Sequence, residues 1–270
     1  MKKILTLVLC IAMLCSACFA FTSCGGGDKD DAVSDLATVQ KNKKLVVGVT
    51  VYPPMDYLDE NGEWTGFDAE LAKMYAESLG VNCQIVIITW ANKVADLNTN
   101  QIDLVWNGMT ASDDLGEKID FSVSYAKNAQ VAVVKKGSSI TADGVKNATI
   151  AVEGGSAGAT VAEETIKASS IKKVTAQVDA LTEVAAGTSQ VAIIDITMAQ
   201  NVVGKGAYAD LEIVSGASYG DEIFAVGLRK GSDLKESLDK FLKDKYADGT
   251  LTALAEKYSV GLNTEALSAK

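Results

Sequence analysis

Short apolar runs alternate with helical patterns from Lys44 onward. The run LVVGVT after Lys44 predicts a buried strand, and apolar residues at 71–79 then recur at the spacing of one helix face. Asp68 is expected to cap this helix, and Gly80 is expected to end it. The next predicted elements are a strand at 83–89, a helix near 92–97 and a strand at 102–106. This order predicts an α/β fold with a parallel, doubly wound sheet.

The same alternation returns after Gly137, so the chain is predicted to contain two α/β units. The predicted elements of the second unit are strands at 148–152, near 173–178 and at 191–195, with helices from about 157 and from 179.

A short internal echo relates the two units. The run QIDLVW from Gln101 lines up with QVAIID from Gln190, and each follows a helix and a short polar turn. Ligands of open α/β sheets collect at the carboxyl ends of strands. The echo therefore predicts that Trp106, Asn107 and Asp195 lie at such ends, around one cleft.

Two extended runs, at 130–135 and 222–228, are expected to cross between the units, so that the chain leaves the first unit and later returns. The helical patterns at 234–245 and 251–258 then cover the first unit. Two crossings beside one cleft predict a hinge that closes around a ligand. The predicted division is lobe 1 at 44–132 plus 224–270, and lobe 2 at 133–223.

The stretch 148–166 reads as strand, glycine loop and helix. Its loop EGGSAG, from Glu153, places the first N–H groups of a helix where a carboxylate could bind, and Ser156 adds a hydroxyl. The loop matches neither nucleotide-binding glycine motif, and no lysine stands beside it in the sequence. On this stretch alone, a plain glycine-rich turn is the favoured reading over an anion site.

The first 23 residues have the features of an export signal, with Lys2 and Lys3 before an apolar run that is short for a membrane span. The sequence FTSC is followed by a polar glycine segment, which resembles a bacterial lipoprotein processing site. Cys24 is therefore expected to carry lipid and residues 24–43 to form a tether; Cys18 is a competing position. Cys83 lies in a strand pattern, which favours a buried apolar role.

The composition excludes several function classes. The formal net charge is −10, so nucleic acid is not an expected partner. The chain has no histidine, which removes histidine-based catalytic triads and the usual zinc sites. No metal site, cofactor or enzymatic activity is predicted.

Several motifs, in this order, resemble the extracellular solute-binding proteins that serve ABC importers of polar amino acids. They are YPPM, GFDAELAKMYAESLG, WNGMT with IDFSVSY, AVEGGSAG, AIID, VGLRKGSDL and DGTLTALAEKYS. The resemblance covers nearly the whole chain after the tether. It implies a two-lobed type II periplasmic-binding-protein fold, with doubly wound sheets joined by a two-strand hinge and with neither cofactor nor chemistry.

The resemblance also implies site residues in the first lobe. Tyr52 corresponds to the aromatic residue that closes over the ligand. Asn107, Gly108 and Thr110 correspond to the segment that meets the ammonium and carboxylate groups of the ligand. Trp90 could stack on the ligand or belong to the core, and Trp106 could also stack.

In the second lobe, Ser156 and Ala157 fall on the loop for the ligand carboxylate, and Asp195 falls on the acid that pairs with the α-ammonium. A carboxylate at a strand end beside a dry cleft can form a charge-assisted bond to an ammonium. The alternative for Asp195 is a helix N-cap for residues 196–203.

One position departs from the family pattern. The family usually carries an arginine where this chain has Leu115, and Arg229 is the chain's single arginine. Without a guanidinium fork the strongest carboxylate contact is lost. Either Lys118 substitutes as a point charge, or the ligand carries no free α-carboxylate; Glu153 adds a negative charge beside the loop.

The sequence therefore predicts a lipid-anchored, monomeric binding protein on the extracytoplasmic face of the cell membrane. It is expected to capture a small polar amino acid or related amine and to deliver it to an ABC permease. The alternatives are a dehydratase-like enzyme of the same fold, acting on a small organic acid, and a sensor module. The absence of histidine and of a clear acid/base pair argues against the enzyme.

Overall fold

The computed structural model describes residues 34–269. The predicted signal peptide and Cys24 lie outside this range, as does the tether up to residue 33. The segment 35–42, which was expected to belong to the tether, is a helix capped by the side chain of Ser34. Within the described residues, no helix has the length and apolar character needed to cross a membrane.

The strands and helices alternate along the chain as the hydrophobic pattern predicts. The strands are β1 (Lys44–Val49), β2 (Tyr57–Leu58), β3 (Trp64–Thr65), β4 (Asn82–Ile87), β5 (Leu104–Val105), β6 (Asp120–Phe121), β7 (Ala126–Lys135), β8 (Thr149–Glu153), β9 (Ser170–Val174), β10 (Val191–Asp195), β11 (Leu211–Phe224) and β12 (Gly227–Leu228). The α-helices are α1 (Asp35–Asn42), α2 (Phe67–Ser78), α3 (Lys93–Asn98), α4 (Asp113–Gly116), α5 (Ala157–Thr160), α6 (Gln177–Ala186), α7 (Ile196–Val202), α8 (Leu234–Ala247), α9 (Thr250–Tyr258) and α10 (Thr264–Ser268).

These strands form two five-stranded sheets, in the orders β4-β1-β5-β12-β6 and β11-β7-β10-β8-β9. Each sheet has a core of three parallel strands, β4-β1-β5 in the first and β10-β8-β9 in the second. The remaining strands pair antiparallel, so each sheet is mixed rather than purely parallel. The chain enters the second sheet at β7 and returns to the first at β12, which agrees with the predicted two-lobed α/β fold.

The two strands β7 and β11 run side by side, with pairs from Leu211–Lys135 to Phe224–Ala126. The first predicted crossing, at 130–135, is therefore the second half of a longer strand in the second sheet. The passage from the first sheet lies between Phe121 and Ala126. The exact division into lobes stays a prediction.

Asp68 does not cap its helix, contrary to the prediction. Helix α2 starts at Phe67, two residues earlier than a cap at Asp68 implies, and the N–H groups of Phe67 and Asp68 bond to the carbonyls of Pro54 and Met55 at 2.9 and 3.0 Å. Because neighbouring backbone supplies these acceptors, the helix needs no side-chain cap. The carboxylate of Asp68 is buried and faces the sheet instead.

Two other predictions are adjusted by the structure. The strand predicted near 173–178 lies at β9, three residues earlier, because α6 already begins at Gln177 and Asp179 accepts the N–H of Ala176 at 3.1 Å. Cys83 is half-buried in β4 as a free thiol, and burial raises its pKa to about 11. The thiol is therefore neutral at physiological pH, as expected for an apolar role.

Trp106 belongs to the core. Its ring is fully buried, with its centroid 6.3 Å from that of Tyr75 and 6.4 Å from that of Tyr125. The helix face of α2 and the C-terminal helices α8 and α9 pack in the same apolar cluster, so these helices cover the first sheet as predicted. The stacking role considered for Trp106 is wrong, because the core encloses its ring.

Candidate ligand-binding cavity

A cavity of about 340 Å³ lies where the carboxyl ends of β1, β5, β8 and β10 converge. All eight predicted site residues line it: Tyr52, Trp90, Asn107, Gly108, Thr110, Ser156, Ala157 and Asp195. Further lining residues, which the sequence did not single out or left open, include Lys93, Asp114, Leu115, Gln130, Glu153, Gln177 and Glu222. Residues distant in sequence thus form one site between the two sheets.

Asp195 is held in the cavity wall by side-chain amides. It ends β10 and is 3% exposed. Its carboxylate accepts hydrogen bonds from Asn128 and Gln177 and, at 2.5 Å, from the Nε2 of Gln130. It occupies the N-cap position of α7, but its side chain makes no capping hydrogen bond. The alternative role of Asp195 as a helix cap is therefore wrong.

The pKa of Asp195 reflects this environment. Burial, and after it the negative charge of Glu222, raise it from 3.8 to about 6, while the amide hydrogen bonds act in the opposite direction. Because the amides solvate the charged form, Asp195 can carry its charge near neutral pH although water is excluded. A cationic ligand would lower this pKa again.

Glu222 shares the amides that hold Asp195. Its Oε2 accepts from Asn128 Nδ2 at 2.8 Å, from Gln130 Nε2 at 3.0 Å and from the Thr110 hydroxyl at 3.0 Å. Asp195 and Glu222 therefore accept hydrogen bonds from the same two side-chain amides. Like charges this close favour a cation between or above them.

Asn107 supports the wall with its side chain. Its Oδ1 accepts from the N–H and the hydroxyl of Thr50, both at 2.9 Å, and its Nδ2 donates to Thr50 O at 3.0 Å and Asp56 Oδ2 at 2.7 Å. An asparagine amide has two donors and two acceptor sites, and all four are used. The Asn107 amide therefore has no capacity left for a ligand.

Gly108 has to be glycine. Its φ is +55°, and a Cβ there would lie 2.7 Å from Tyr52 Cε1 and 3.1 Å from Phe224 Cε2. Its N–H donates to Asp68 Oδ2 at 2.6 Å, and the Tyr125 hydroxyl donates to the same oxygen at 2.8 Å. The buried carboxylate that failed to cap α2 thus fixes the backbone of the cavity wall.

Two aromatic residues line the cavity from the first sheet. Tyr52 is 1% exposed and meets Phe224 edge-on, with centroids 6.5 Å apart, and its hydroxyl has no hydrogen-bond partner among residues 34–269. Trp90 is buried, and the Lys93 ammonium lies 4.7 Å from the centroid of its ring. One face of Trp90 is therefore already in a cation–π contact.

The glycine loop before α5 is fixed by its own side chain and by a lysine. The Ser156 hydroxyl donates to Glu153 O at 2.8 Å and accepts the Ala159 N–H at 3.1 Å, so it caps α5. The Lys93 ammonium donates to Gly155 O at 2.9 Å. No lysine is adjacent in sequence, but the fold brings one from 62 residues away.

The two charged residues at this loop have strongly shifted pKa values. Burial and the charge of Asp195 raise the pKa of Glu153 to about 8, and burial lowers the pKa of Lys93 to about 8. Glu153 is 2% exposed. The loop therefore places a buried carboxyl group, protonated at pH 7 in the empty cavity, beside the expected anion site.

Neither the single arginine nor Lys118, the residue considered as a substitute for the missing arginine, lines the cavity. Arg229 pairs with Asp35 at 2.9 Å and with Asp103 at 3.4 Å, on the first sheet and outside the cavity. Lys118 is not among the lining residues, whereas Leu115 is. Lys93 is the cationic residue that the described part of the chain contributes to the cavity.

Lys93, Gln130, Gln177 and Glu222 were missed by the sequence analysis. Gln177 follows the carboxyl end of β9, and this position was a usable signal. Gln130 and Glu222 lie inside long strands, where polar side chains facing a cavity cannot be told from solvent-facing ones.

Residues 45–261 match the protein family described as bacterial extracellular solute-binding proteins, family 3. The chain belongs to this family. It is 29% identical over 228 residues to the L-cystine-binding protein TcyJ of Escherichia coli (strain K12), covering 83% of this chain and 85% of that protein. The family assignment makes the chain a substrate-binding protein of an ABC importer, as the sequence predicted.

Solved structures agree with this assignment. A mutant of ArgBP from T. maritima is 30% identical, covering 83% of this chain and 98% of that one, with a TM-score of 0.77. The ancestral amino acid-binding protein AncCDT-1, described as a precursor of cyclohexadienyl dehydratase, is 29% identical, covering 83% and 99%, with a TM-score of 0.77. The two-lobed periplasmic-binding-protein fold is therefore confirmed.

Proposed function

We propose that this protein captures a small solute with an ammonium group, an amino acid or related amine, in the cavity and delivers it to a membrane permease. The observation that carries the proposal is Asp195, a buried carboxylate at a strand end, held by three side-chain amides and open to the cavity. Such a group can form a charge-assisted hydrogen bond to an ammonium.

The charge of the cavity supports a cationic group on the ligand. Its lining residues include four acidic residues and one ammonium. Opposite charge inside a partly closed cavity is attracted more strongly than at the surface, since the surrounding dielectric is lower. The four acidic residues are Asp114, Glu153, Asp195 and Glu222, and the ammonium is Lys93. Glu153, with a pKa of about 8, holds a proton at pH 7 until a cation binds beside it.

The other site residues have supporting roles in this proposal. Tyr52 and Trp90 flank the apolar part of the ligand, and the backbone at Ser156 and Ala157 meets a polar group. Thr110 also lines the cavity, where its hydroxyl donates to Glu222. Asn107 and Gly108 shape the wall, since the Asn107 amide and the Gly108 N–H already bond within the protein.

Similar proteins support the ligand class. TcyJ is described as binding L-cystine, and AncCDT-1 as binding an amino acid. Amino acids share an α-ammonium, the group that Asp195 is suited to bind. We further propose, from the N-terminal sequence, that the protein is anchored by lipid at Cys24 on the extracytoplasmic face and acts as a monomer.

A second candidate function is a dehydratase-like enzyme. It is favoured by AncCDT-1 and by two carboxyl groups, Asp195 and Glu153, whose pKa values of about 6 and about 8 suit proton exchange near neutral pH. The acidic cavity disfavours an anionic, ring-bearing acid as substrate. Incubation with such acids, followed by detection of the dehydrated product, separates the two functions. We propose binding without turnover.

Thermal unfolding with a panel of amino acids, amines, nucleosides and small organic acids tests the proposed function. A ligand at 100 times its Kd stabilises the folded state by about 2.7 kcal/mol, which raises the Tm measurably. We expect a rise with one or more ammonium-bearing solutes and none with organic acids. A rise limited to organic acids or nucleosides would refute the proposal.

A further inference from the structure

Glu153 has a buried carboxyl group that takes no part in the hydrogen bonds around Asp195. It is the last residue of β8, it is 2% exposed, and it lines the cavity. Its Oε1 has no hydrogen-bond partner among residues 34–269. A buried carboxyl group with an oxygen that lacks a hydrogen-bond partner is costly, whether it is charged or protonated, so Glu153 implies a partner that residues 34–269 do not supply.

The neighbours of Glu153 do not neutralise it. Lys93 is the cation whose charge acts on Glu153. Its ammonium, however, donates to the carbonyls of Gly155 at 2.9 Å and Trp90 at 3.3 Å. Asp195 and Asp179 add negative charge. Burial and these two carboxylates hold the pKa of Glu153 at about 8, although an interaction with the Thr50 hydroxyl and the charge of Lys93 both act to lower it. The Thr50 hydroxyl itself donates to Asn107 Oδ1 at 2.9 Å.

Glu153 shares no hydrogen-bond donor with Asp195, although the two residues end neighbouring strands and the charge of Asp195 acts on Glu153. The amides of Asn128, Gln130 and Gln177 bond to Asp195, and two of them also bond to Glu222, but none bonds to Glu153. The cavity therefore offers two acidic positions on two different strands, β8 and β10. One is solvated by amides, and the other has an oxygen without a partner.

We propose that Glu153 is a specificity residue for a second cationic group, so that the preferred ligand is a short-chain solute with two cationic groups, one at Asp195 and one at Glu153. This inference rests on the proposed function, because it assumes that an ammonium binds at Asp195. Neutral-side-chain amino acids would leave Glu153 without a partner.

Two kinds of solute have this chemistry: a basic amino acid and an α,ω-diamine. They differ in the carboxylate. The cavity contains no arginine, and its lysine already bonds to two carbonyls. Both solutes carry the two cationic groups that Asp195 and Glu153 would bind. Calorimetry with a probe of each kind shows which of the two binds more tightly.

Four probes of similar length test it by isothermal titration calorimetry. Lysine and norleucine differ only in the ε-ammonium, and 1,5-diaminopentane and pentylamine differ in the same group without a carboxylate. Comparison of lysine with 1,5-diaminopentane distinguishes the amino-acid source from the diamine source. Each probe is titrated into the wild type, Glu153→Gln and the control Glu164→Gln, whose side chain is exposed on the segment Val161–Thr165.

We expect at least one dicationic probe to bind the wild type about 10- to 100-fold more tightly than its partner without the second ammonium, as for hydrogen bonds to charged groups. In Glu153→Gln, the ratio of the two affinities should fall below about 3-fold, which is the size of effect that exposed ion pairs have. Glu164→Gln should leave the ratio unchanged. A ratio that survives Glu153→Gln would overturn the inference.

Tighter binding of norleucine than lysine would also overturn the inference while leaving the proposed function intact. Binding of none of the four probes overturns the inference too, and the thermal-unfolding panel then decides whether any ammonium solute binds.

Proton release on binding tests the inference in the wild type alone, in case Glu153→Gln does not fold. With a pKa of about 8, the carboxyl group of Glu153 holds a proton at pH 7 in the empty cavity. A cation beside it favours the charged form. The dicationic probe should therefore release more protons than its monocationic partner, measured as calorimetric enthalpy in two buffers. Equal release by both would contradict the inference.

Discussion

Gln177 contacts Asp195 through both ends of its side-chain amide: its Oε1 accepts the Asp195 N–H at 2.9 Å, and its Nε2 donates to the Asp195 carboxylate. This pair joins the start of α6 to the end of β10. It fixes the direction of the carboxylate and stabilises its charge. The orientation of the proposed ammonium site therefore depends on a residue from a neighbouring element.

Replacement of Gln177 by methionine tests this support. Gln177→Met keeps the length of the side chain but removes both hydrogen bonds, so the affinity for an ammonium ligand should fall about 10-fold, as for the loss of a hydrogen bond to a charged group. Calorimetry with the best ligand of the thermal panel measures the change. Gln190→Met is the control, because Gln190 is exposed and bonds only to the Thr149 N–H. Equal losses in both variants would contradict a specific role.

The stability of the ligand-free protein should depend on pH through Asp195. Its pKa is raised from 3.8 to about 6, so the native state binds the proton more tightly than the unfolded state. The contribution of this group to stability is therefore greatest below pH 3.8 and is lost as the pH rises through 6. The loss amounts to roughly 1–3 kcal/mol.

Asp195→Asn removes this titration. Urea unfolding at pH 5 and at pH 8 should show that the variant gains stability relative to the wild type between these two values. Any constant cost of the changed hydrogen bonds cancels in the comparison. A relative stability that stays constant or falls from pH 5 to pH 8 would show that Asp195 is not a buried acid with a raised pKa.

Leu115→Arg separates ligands with and without a carboxylate. Leu115 lines the cavity, so an arginine there can reach into it. A ligand carboxylate would gain a bidentate partner, and lysine should then bind more tightly. 1,5-Diaminopentane should bind at least about 10-fold more weakly, because the new guanidinium repels its two ammonium groups and competes with them for the carboxylates of the cavity.

Titration of both probes into wild type, Leu115→Arg and the uncharged control Leu115→Met measures this difference. Opposite signs for the two probes are expected. The same change for both would mean that residue 115 does not meet the ligand.

Lipidation at Cys24 remains a prediction from the sequence. On expression in a bacterium, the wild type should partition into the detergent phase, and Cys24→Ser should move to the aqueous phase because it lacks the thiol that carries lipid. Phase separation and the mass of the mature N-terminus measure this. Cys18→Ser is the matched control and should behave as the wild type. A wild type without lipid, or lipid lost only in Cys18→Ser, would contradict the assignment.

The sequence predicted much of the fold because strand and helix periods are local properties. The bounds predicted for the strand at 191–195 are those of β10. The internal echo correctly placed Trp106, Asn107 and Asp195 at the carboxyl ends of strands. The predicted cap at Asp68 was wrong for a physical reason: the carbonyls of Pro54 and Met55 already accept the first N–H groups of α2. Such long-range satisfaction of backbone groups leaves no local pattern.

The electrostatics of the site could not be predicted in the same way. Lys93 reaches the glycine loop only because two sheets close on one cavity, and Glu153 looked like a residue at a loop mouth although it is buried. Burial and contacts between distant elements decide which charges are paired. The missing arginine was visible in the sequence, but the carboxyl groups of Glu153 and Glu222, which the fold brings to the same cavity as Leu115, were not.

Calorimetric titration of wild type and Asp195→Asn with the best ammonium ligand tests the central claim most directly. Asp195→Asn keeps the size of the side chain and removes the charge, so the affinity should fall by about 2 kcal/mol or more, roughly 30-fold, while circular dichroism shows an unchanged fold. An affinity within about 3-fold of the wild type, in a folded variant, would contradict the claim that Asp195 binds the ammonium.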